Sequence, residues 1–179
     1  MQSILFQYED ETVIWEHHNG DNICTRFSIE DWGKIVSDIH TNKEWVSLVE
    51  EYSDLIECYI LKRRCDNHEI GFIYLYHESV LTNIVSIHGG GWEKSMISSI
   101  LYYRGLILMI RNLLSQGFRV RTSCFISNEK AYRFLKIIGF VVFKTSDKSH
   151  YMWINQRRLL TGRIYKYLYK NSQLSSLNA

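Results

Sequence analysis

From about Ser95 to Ser115 this chain offers water almost no polar face. Met96, Ile97, Ile100, Leu101, Leu106, Leu108, Met109, Ile110, Leu113 and Leu114 leave nearly every side of the helix they predict apolar. A helix with one apolar stripe can lie on a surface, but one that is apolar all round has to be covered on most sides. The rest of the chain must therefore supply that cover, and Gly117 marks the end of this helix. Just before it, SIHGGGW sets Gly89, Gly90 and Gly91 after an apolar run. Glycine has the most backbone freedom to lose, so three in a row predict a turn or a close backbone approach.

The elements on either side follow from period and punctuation. TVIWEHH, NGD and ICTRFS read as two short strands around a turn. Ser28 with Asp31, and Thr41 with Glu44, form capping boxes for two helices, the first carrying Ile29, Trp32, Ile35, Val36 and Ile39 and the second Trp45, Leu48, Val49 and Tyr52. LIECYILKR, the turn CDNH and EIGFIYLYHES predict a hairpin, and TNIVSIH a third strand, giving an antiparallel meander. After the long helix come a strand, FRVRTSCFI, a helix from Asn128 to Ile138 stopped by Gly139, and a last strand pair, FVVFKTS and SHYMWIN. Arg157 to Lys170 predict a basic amphipathic helix. With 179 residues the expectation is one domain over residues 1–170 and a flexible tail over 171–179.

Charge is divided along the chain. Residues 1–90 hold 6 Lys/Arg against 16 Asp/Glu, and residues 91–179 hold 15 against 3, balances of −10 and +12. The second half suits an anion and the first a cation, or the halves attract each other in the fold. Cys24, Cys58, Cys65 and Cys124 form no CxxC pair, so buried reduced thiols are expected and no metal site. The N-terminus lacks a basic start followed by an apolar core, and no uncharged apolar stretch reaches the roughly 18 residues of a membrane span. A cytoplasmic location without membrane association is expected.

Three ligand chemistries could use SIHGGGW. An esterase oxyanion hole requires a GxSxG nucleophile turn downstream, and the chain has none. A Walker loop requires glycines where His88 and Glu93 stand. What is left is a general device, backbone amides at a turn and a helix N-terminus that bind phosphate oxygens, with Ser95, Ser98 and Ser99 as added hydroxyl donors.

RVRTSCFISNEKAYRFLKIIGF, residues 119–140, narrows the choice. Its strand, then Asn128, Ala131 three residues on, an apolar helix and the pair Gly139-Phe140 resemble the GNAT superfamily of acyl-CoA-dependent N-acyltransferases, a likeness that with the preceding meander and long helix covers roughly Leu55 to Asn155. The resemblance implies an α/β (α+β) fold with a mixed, mostly antiparallel sheet of about six or seven strands and helices on both faces. It also implies that TNIVSIH and FRVRTSCFI splay apart to bind the pantetheine arm of acetyl-CoA, with Ile87, Gly89, Gly90, Gly91, Ser95 and Asn128 as cofactor-binding residues. Two departures stand out. The family's Q/RxxGxG/A signature is not recognisable in GGGWEKSMISSIL, and Leu135 occupies the position seven residues after the Asn where the family often has a tyrosine acid.

Acyl transfer to an amine needs a base for one amine proton and an acid for the departing thiolate. His88 is the first candidate base, since an unperturbed imidazole titrates at about 6.5; Glu57 and Glu69 are weaker ones. Tyr102, Tyr103, Tyr132 and Cys124 are candidate acids, and nothing in the sequence separates them. Trp32, Trp45, Tyr52, Tyr151 and Trp153 are expected to line an acceptor pocket for a small-molecule or peptide amine, for which the acidic first half favours a cationic one. A non-catalytic acyl-CoA-binding domain is the alternative that the two departures favour. Nucleic-acid binding through Arg157, Arg158, Arg163, Lys166 and Lys170 is not expected, because no base-reading motif is interleaved with them. The sequence leaves a homodimer open.

Overall fold

The computed structural model describes residues 12–19, 55–78, 81–92 and 95–175. Among them seven strands form one sheet: β1 (Val13–Asn19), β2 (Ile56–Arg63), β3 (Glu69–His77), β4 (Ile84–Gly91), β5 (Arg119–Phe125), β6 (Val141–Thr145) and β7 (Ser149–Ile154). Their spatial order is β1-β2-β3-β4-β5-β7-β6, and every neighbouring pair is antiparallel except β4 with β5. A parallel pair cannot be closed by a tight turn; the crossover here is the long apolar helix, α1 (Met96–Ser115). Helices α2 (Glu129–Ile138), α3 (Gln156–Thr161) and α4 (Arg163–Ser175) complete the described fold. This is the mixed, mostly antiparallel sheet expected from the sequence.

Each element has a local cause. The β2–β3 turn is held by Asp66, which accepts from the Arg63 guanidinium at 2.9 Å and from the His68 amide at 3.1 Å, while Asn67 takes the positive φ of 56°. Ser95 caps α1 by accepting from the Ser98 amide, and Asn128 and Asn155 cap α2 and α3 in the same way. The expected meander and last strand pair are present as β2–β3–β4 and β6–β7. ICTRFS, Cys24 and the two early helices with Trp32, Trp45 and Tyr52 lie outside the described residues.

Of the two readings of the triple glycine, a turn or a close approach, the structure has the second: Gly89, Gly90 and Gly91 are the end of β4, in register with Ile73, Phe72 and Gly71 of β3. Two other expectations are corrected. The basic helix expected over Arg157 to Lys170 is two, parted at Gly162, where any Cβ would run into the Ile138 carbonyl. Its second part is α4, which runs from Arg163 to Ser175. Cys58 and Cys124 are buried free thiols, whereas Cys65, on the β2–β3 turn, is exposed.

The described helices pack on one face of the sheet. That face carries Val13, Trp15, Tyr59, Leu61, Ile73, Leu75, Val85, Ile87 and Val120, in one core with Ile107, Met109, Ile110 and Leu113 of α1. Packing explains why α1 is apolar all round. By length and composition α1 could cross a membrane, yet half of its most apolar window is buried against the protein itself. On the opposite face Ile56, Cys58, Ile60, Phe72 and Tyr74 are buried as well.

Tyr102 sets how closely α1 meets the sheet. Its ring lies over Gly71 and its hydroxyl donates to the Phe72 carbonyl at 3.2 Å. A Cβ on Gly71 would come within 2.6 Å of the ring and 2.7 Å of the Gly90 carbonyl, and one on Gly89 within 2.9 Å of the Ile73 Cα. These glycines serve close approach. Gly90, on the other face, would meet only the edge of Phe72, at 3.6 Å. Gly71→Ala and Gly89→Ala should each cost about 1–3 kcal/mol of stability by overpacking, and Gly90→Ala should stay within about 0.5 kcal/mol. Urea denaturation of the three variants checks the contrast.

Candidate active site

The site begins where a ladder ends. β4 and β5 pair only from Ile84–Arg119 to Ser86–Arg121, and beyond that point the two strands part. In an antiparallel ladder residues alternate between hydrogen-bonding to the neighbour and turning their polar backbone away from it. Glu78 donates to the Ile84 carbonyl and Trp92 to the Ile70 carbonyl, so the even-numbered residues of β4 bond to β3. The odd-numbered ones turn toward β5, as the bond from the Arg119 amide to the Asn83 carbonyl shows. Ile87, Gly89 and Gly91 therefore present their N–H and C=O groups into the gap. Gly90 does not; its backbone faces Phe72.

A cleft of about 660 Å³ fills this gap. Ile87 to Trp92 form one wall, Thr122, Ser123 and Cys124 the other, and the cleft continues between α1, at Tyr102 and Leu106, and α2, at Asn128, Ala131, Phe134 and Leu135. Because His88, Gly90 and Ser123 belong to the opposite face of the sheet from Ile87, Thr122 and Cys124, the cleft passes through the sheet.

Of the residues singled out from the sequence, the cleft brings together Ile87, His88, Gly89, Gly90, Gly91, Tyr102, Cys124 and Asn128. His88 lines it, half-buried, with its ring stacked on Tyr74 at 5.0 Å. Cys124 lines it too, and burial raises the pKa of its thiol, keeping it protonated. Asn128 caps α2 by accepting from the Ala131 amide at 3.0 Å, which leaves its NH2 group as a donor. Ser95 is occupied as the cap of α1, and the Ser99 amide bonds to its carbonyl, so the first turn leaves the amides of Met96 and Ile97 without intrahelical acceptors. The first turn of α1 carries no acidic residue. Tyr102 reaches the cleft, but its hydroxyl is engaged with Phe72 and burial drives its pKa upward.

Other candidates stand elsewhere. Glu69 meets Lys62 at 3.8 Å at the start of β3. Tyr103 packs behind the cleft-lining Phe134 and Tyr132 packs on His150, and neither tyrosine lines the cleft. Tyr151 and Trp153 are exposed on β7 beneath Lys144 and Arg158. Glu57, a candidate base, is buried on the α1 face: it accepts from Tyr59 at 2.6 Å and meets His77 at 3.0 Å and His17 at 3.4 Å. It does not line the cleft. Thr122 and Ser123 do line it, and strand alternation alone would not have marked them, since the ladder between β4 and β5 had first to end; Phe134 of α2 lines it as well. Among the described residues no group of three His, Cys, Asp or Glu side chains is placed to hold a metal ion.

A parallel pair that opens into a cleft beneath a long crossover helix, in a mostly antiparallel sheet, is the architecture of the GNAT N-acetyltransferases, and this chain has that fold. It is similar to a GCN5-related N-acetyltransferase from Brucella melitensis, at 14% identity and a TM-score of 0.59 over 87% of this chain and 81% of that one. It is similar also to the spermidine N-acetyltransferase of Vibrio cholerae in complex with CoA and spermine, at 12% and 0.59 over 84% and 99%. A third is an aminoglycoside acetyltransferase in complex with coenzyme A, at 15% and 0.59 over 84% and 99%. No family model and no curated protein matches the sequence.

The Glu57 cluster has a consequence for stability. Burial by itself would raise this carboxyl, but the donors at His17, His77 and Tyr59 outweigh it and hold it at about 2, below the usual 4.5. A lowered folded-state pKa gives stability that is present above the unfolded value and is lost as pH falls through the folded one. Glu57→Gln should therefore cost about 1–3 kcal/mol near neutral pH. The gap from the native protein should close as pH falls from 4.5 toward about 2, which urea denaturation across that range measures.

Proposed function

We propose that this chain is an N-acetyltransferase that moves an acetyl group from acetyl-CoA to a primary amine of a small molecule or peptide. The observation that carries the reading is the opening of β4 from β5, with the backbone of Ile87, Gly89 and Gly91 turned into a cleft that runs between α1 and α2. An extended amide-bearing chain fits such a wall because it can complete the interrupted ladder. Asn128 would hold it from the α2 side, and the amides of Met96 and Ile97, at the positive end of the α1 dipole, suit a diphosphate.

Bound acetyl-CoA supplies the acyl group as an activated thioester. The chain's own residues divide the remaining work. His88 takes a proton from the amine as its nitrogen bonds to the acyl carbon. The Cys124 thiol gives a proton to the departing sulfur as the C–S bond breaks, and is reprotonated from solvent. N–H groups of Ile87 and Gly89 stabilise charge that develops on the acyl oxygen. Leu135, where the family often has a tyrosine, lines the cleft but has no proton to give, so the acid falls to the neighbouring strand.

A cationic acceptor is favoured by the acidic first half of the sequence, and the neighbours solved with spermine or named for aminoglycosides supply a panel. Calorimetry with acetyl-CoA, followed by thiol release over polyamines, aminoglycosides and peptides, tests the reading. Binding and turnover are expected. His88→Ala should lower kcat/KM by about 10²–10⁴-fold with acetyl-CoA affinity unchanged. Binding without turnover on any amine would favour the non-catalytic acyl-CoA-binding domain instead, the reading that Leu135 supports.

A further inference from the structure

A second concavity, of about 590 Å³, lies between the outer side of α2, the start of β6 and the junction of α3 with α4. It shares only Phe140 with the cleft. Arg133, Lys136, Arg158 and Arg163 line it, and no carboxylate does. Its base is stiff, because Gly139 and Gly162 bring the ends of α2 and α3 into backbone contact: a Cβ on Gly139 would come within 2.6 Å of the Arg158 carbonyl.

Ordinary causes account for part of this charge. Lys136 and Arg158 stand in the last turns of α2 and α3, where the helix dipole favours cations. Arg133 reaches Glu129 at 2.6 Å, but both side chains are about 70% exposed and such a pair contributes little. Arg163 has no such explanation. It opens α4, where the dipole disfavours a cation, and the first turn of that helix has no acidic residue to compensate. Arg158 is steadied over the Trp153 ring at 5.8 Å.

We propose that this concavity is a binding site for a small polyphosphate-bearing molecule, separate from the acyl-CoA cleft. Three guanidinium groups offer paired donors matched to phosphate oxygens, Lys136 adds a point charge, and the start of α4 adds backbone amides. The volume is that of a small-ligand pocket, and Ile137, Phe140 and Val141 give it an apolar side for the organic part of the ligand.

Inorganic pyrophosphate is the probe, titrated by calorimetry into the full chain at physiological salt with and without saturating coenzyme A. Saturable binding that coenzyme A does not displace is expected. Arg158→Ala with Arg163→Ala should weaken it about tenfold or more, with coenzyme A affinity kept within about twofold; retained coenzyme A binding also reports that the variant is folded. Arg111→Ala with Lys148→Ala removes the same charge from exposed positions elsewhere and should leave pyrophosphate binding intact. The proposal is overturned by absence of saturable binding, or by an equal loss in the control variant. Displacement by coenzyme A would overturn it too, by assigning the basin to that molecule's own phosphates. So would tighter, steeply salt-dependent binding of a single-stranded oligonucleotide that the Arg158/Arg163 variant abolishes, which would make a nucleic acid the ligand.

Discussion

A strand edge without a partner leaves backbone N–H and C=O groups that need other donors and acceptors, and the parting of β4 from β5 after Ser86 and Arg121 turns a row of them, at Ile87, Gly89 and Gly91, toward the cleft. The sheet tolerates the opening because each strand is held on its outer side, β4 by β3 and β5 by β7. α1 and α2 stand on either side of the gap, so it is walled without being filled. The cleft arises here from a ladder left incomplete and needs no unusual side chain.

What keeps that gap in shape is the contact between α1 and the sheet. The Tyr102 ring can lie where it does only because positions 71 and 89 carry no side chain, and its hydroxyl then ties the helix to the Phe72 carbonyl. The same glycine that turns its amide into the cleft thus also admits the helix that bounds it. Stability and site are coupled through a few ångströms of backbone approach. The buried Glu57 cluster, at the other end of β2 and β3, is by contrast a structural use of charge.

Much of this was legible in the sequence. Apolar periodicity located β2, β3, β4, α1, β5, α2, β6 and β7, and Asn128 through Phe140 carried a motif whose spacing marks one end of the cleft. Ile87, His88, Gly89, Cys124 and Asn128, singled out from the chain and from the family it resembles, meet in one cavity. The open and misplaced readings have physical reasons. Three glycines left a turn and a close approach both open, because each calls for the same residue. Glu57 looked like a base on a solvated hairpin because a single strand does not reveal that two histidines and a tyrosine will surround it. Tyr132 and Cys124 were equivalent in sequence, and only the crossing of α2 over the sheet set one outside the cleft and the other within it.

Local chemistry decides local form: the period of apolar residues, the capping side chains and the turn at Asp66 and Asn67 are short-range effects, written residue by residue in the chain. Which strands part, which face each side chain shares, and which cations gather around the α2–α4 basin depend on contacts between segments far apart in sequence. Those contacts follow from how helices and strands of given lengths can be packed without voids, a property of the whole arrangement that no single stretch of residues carries.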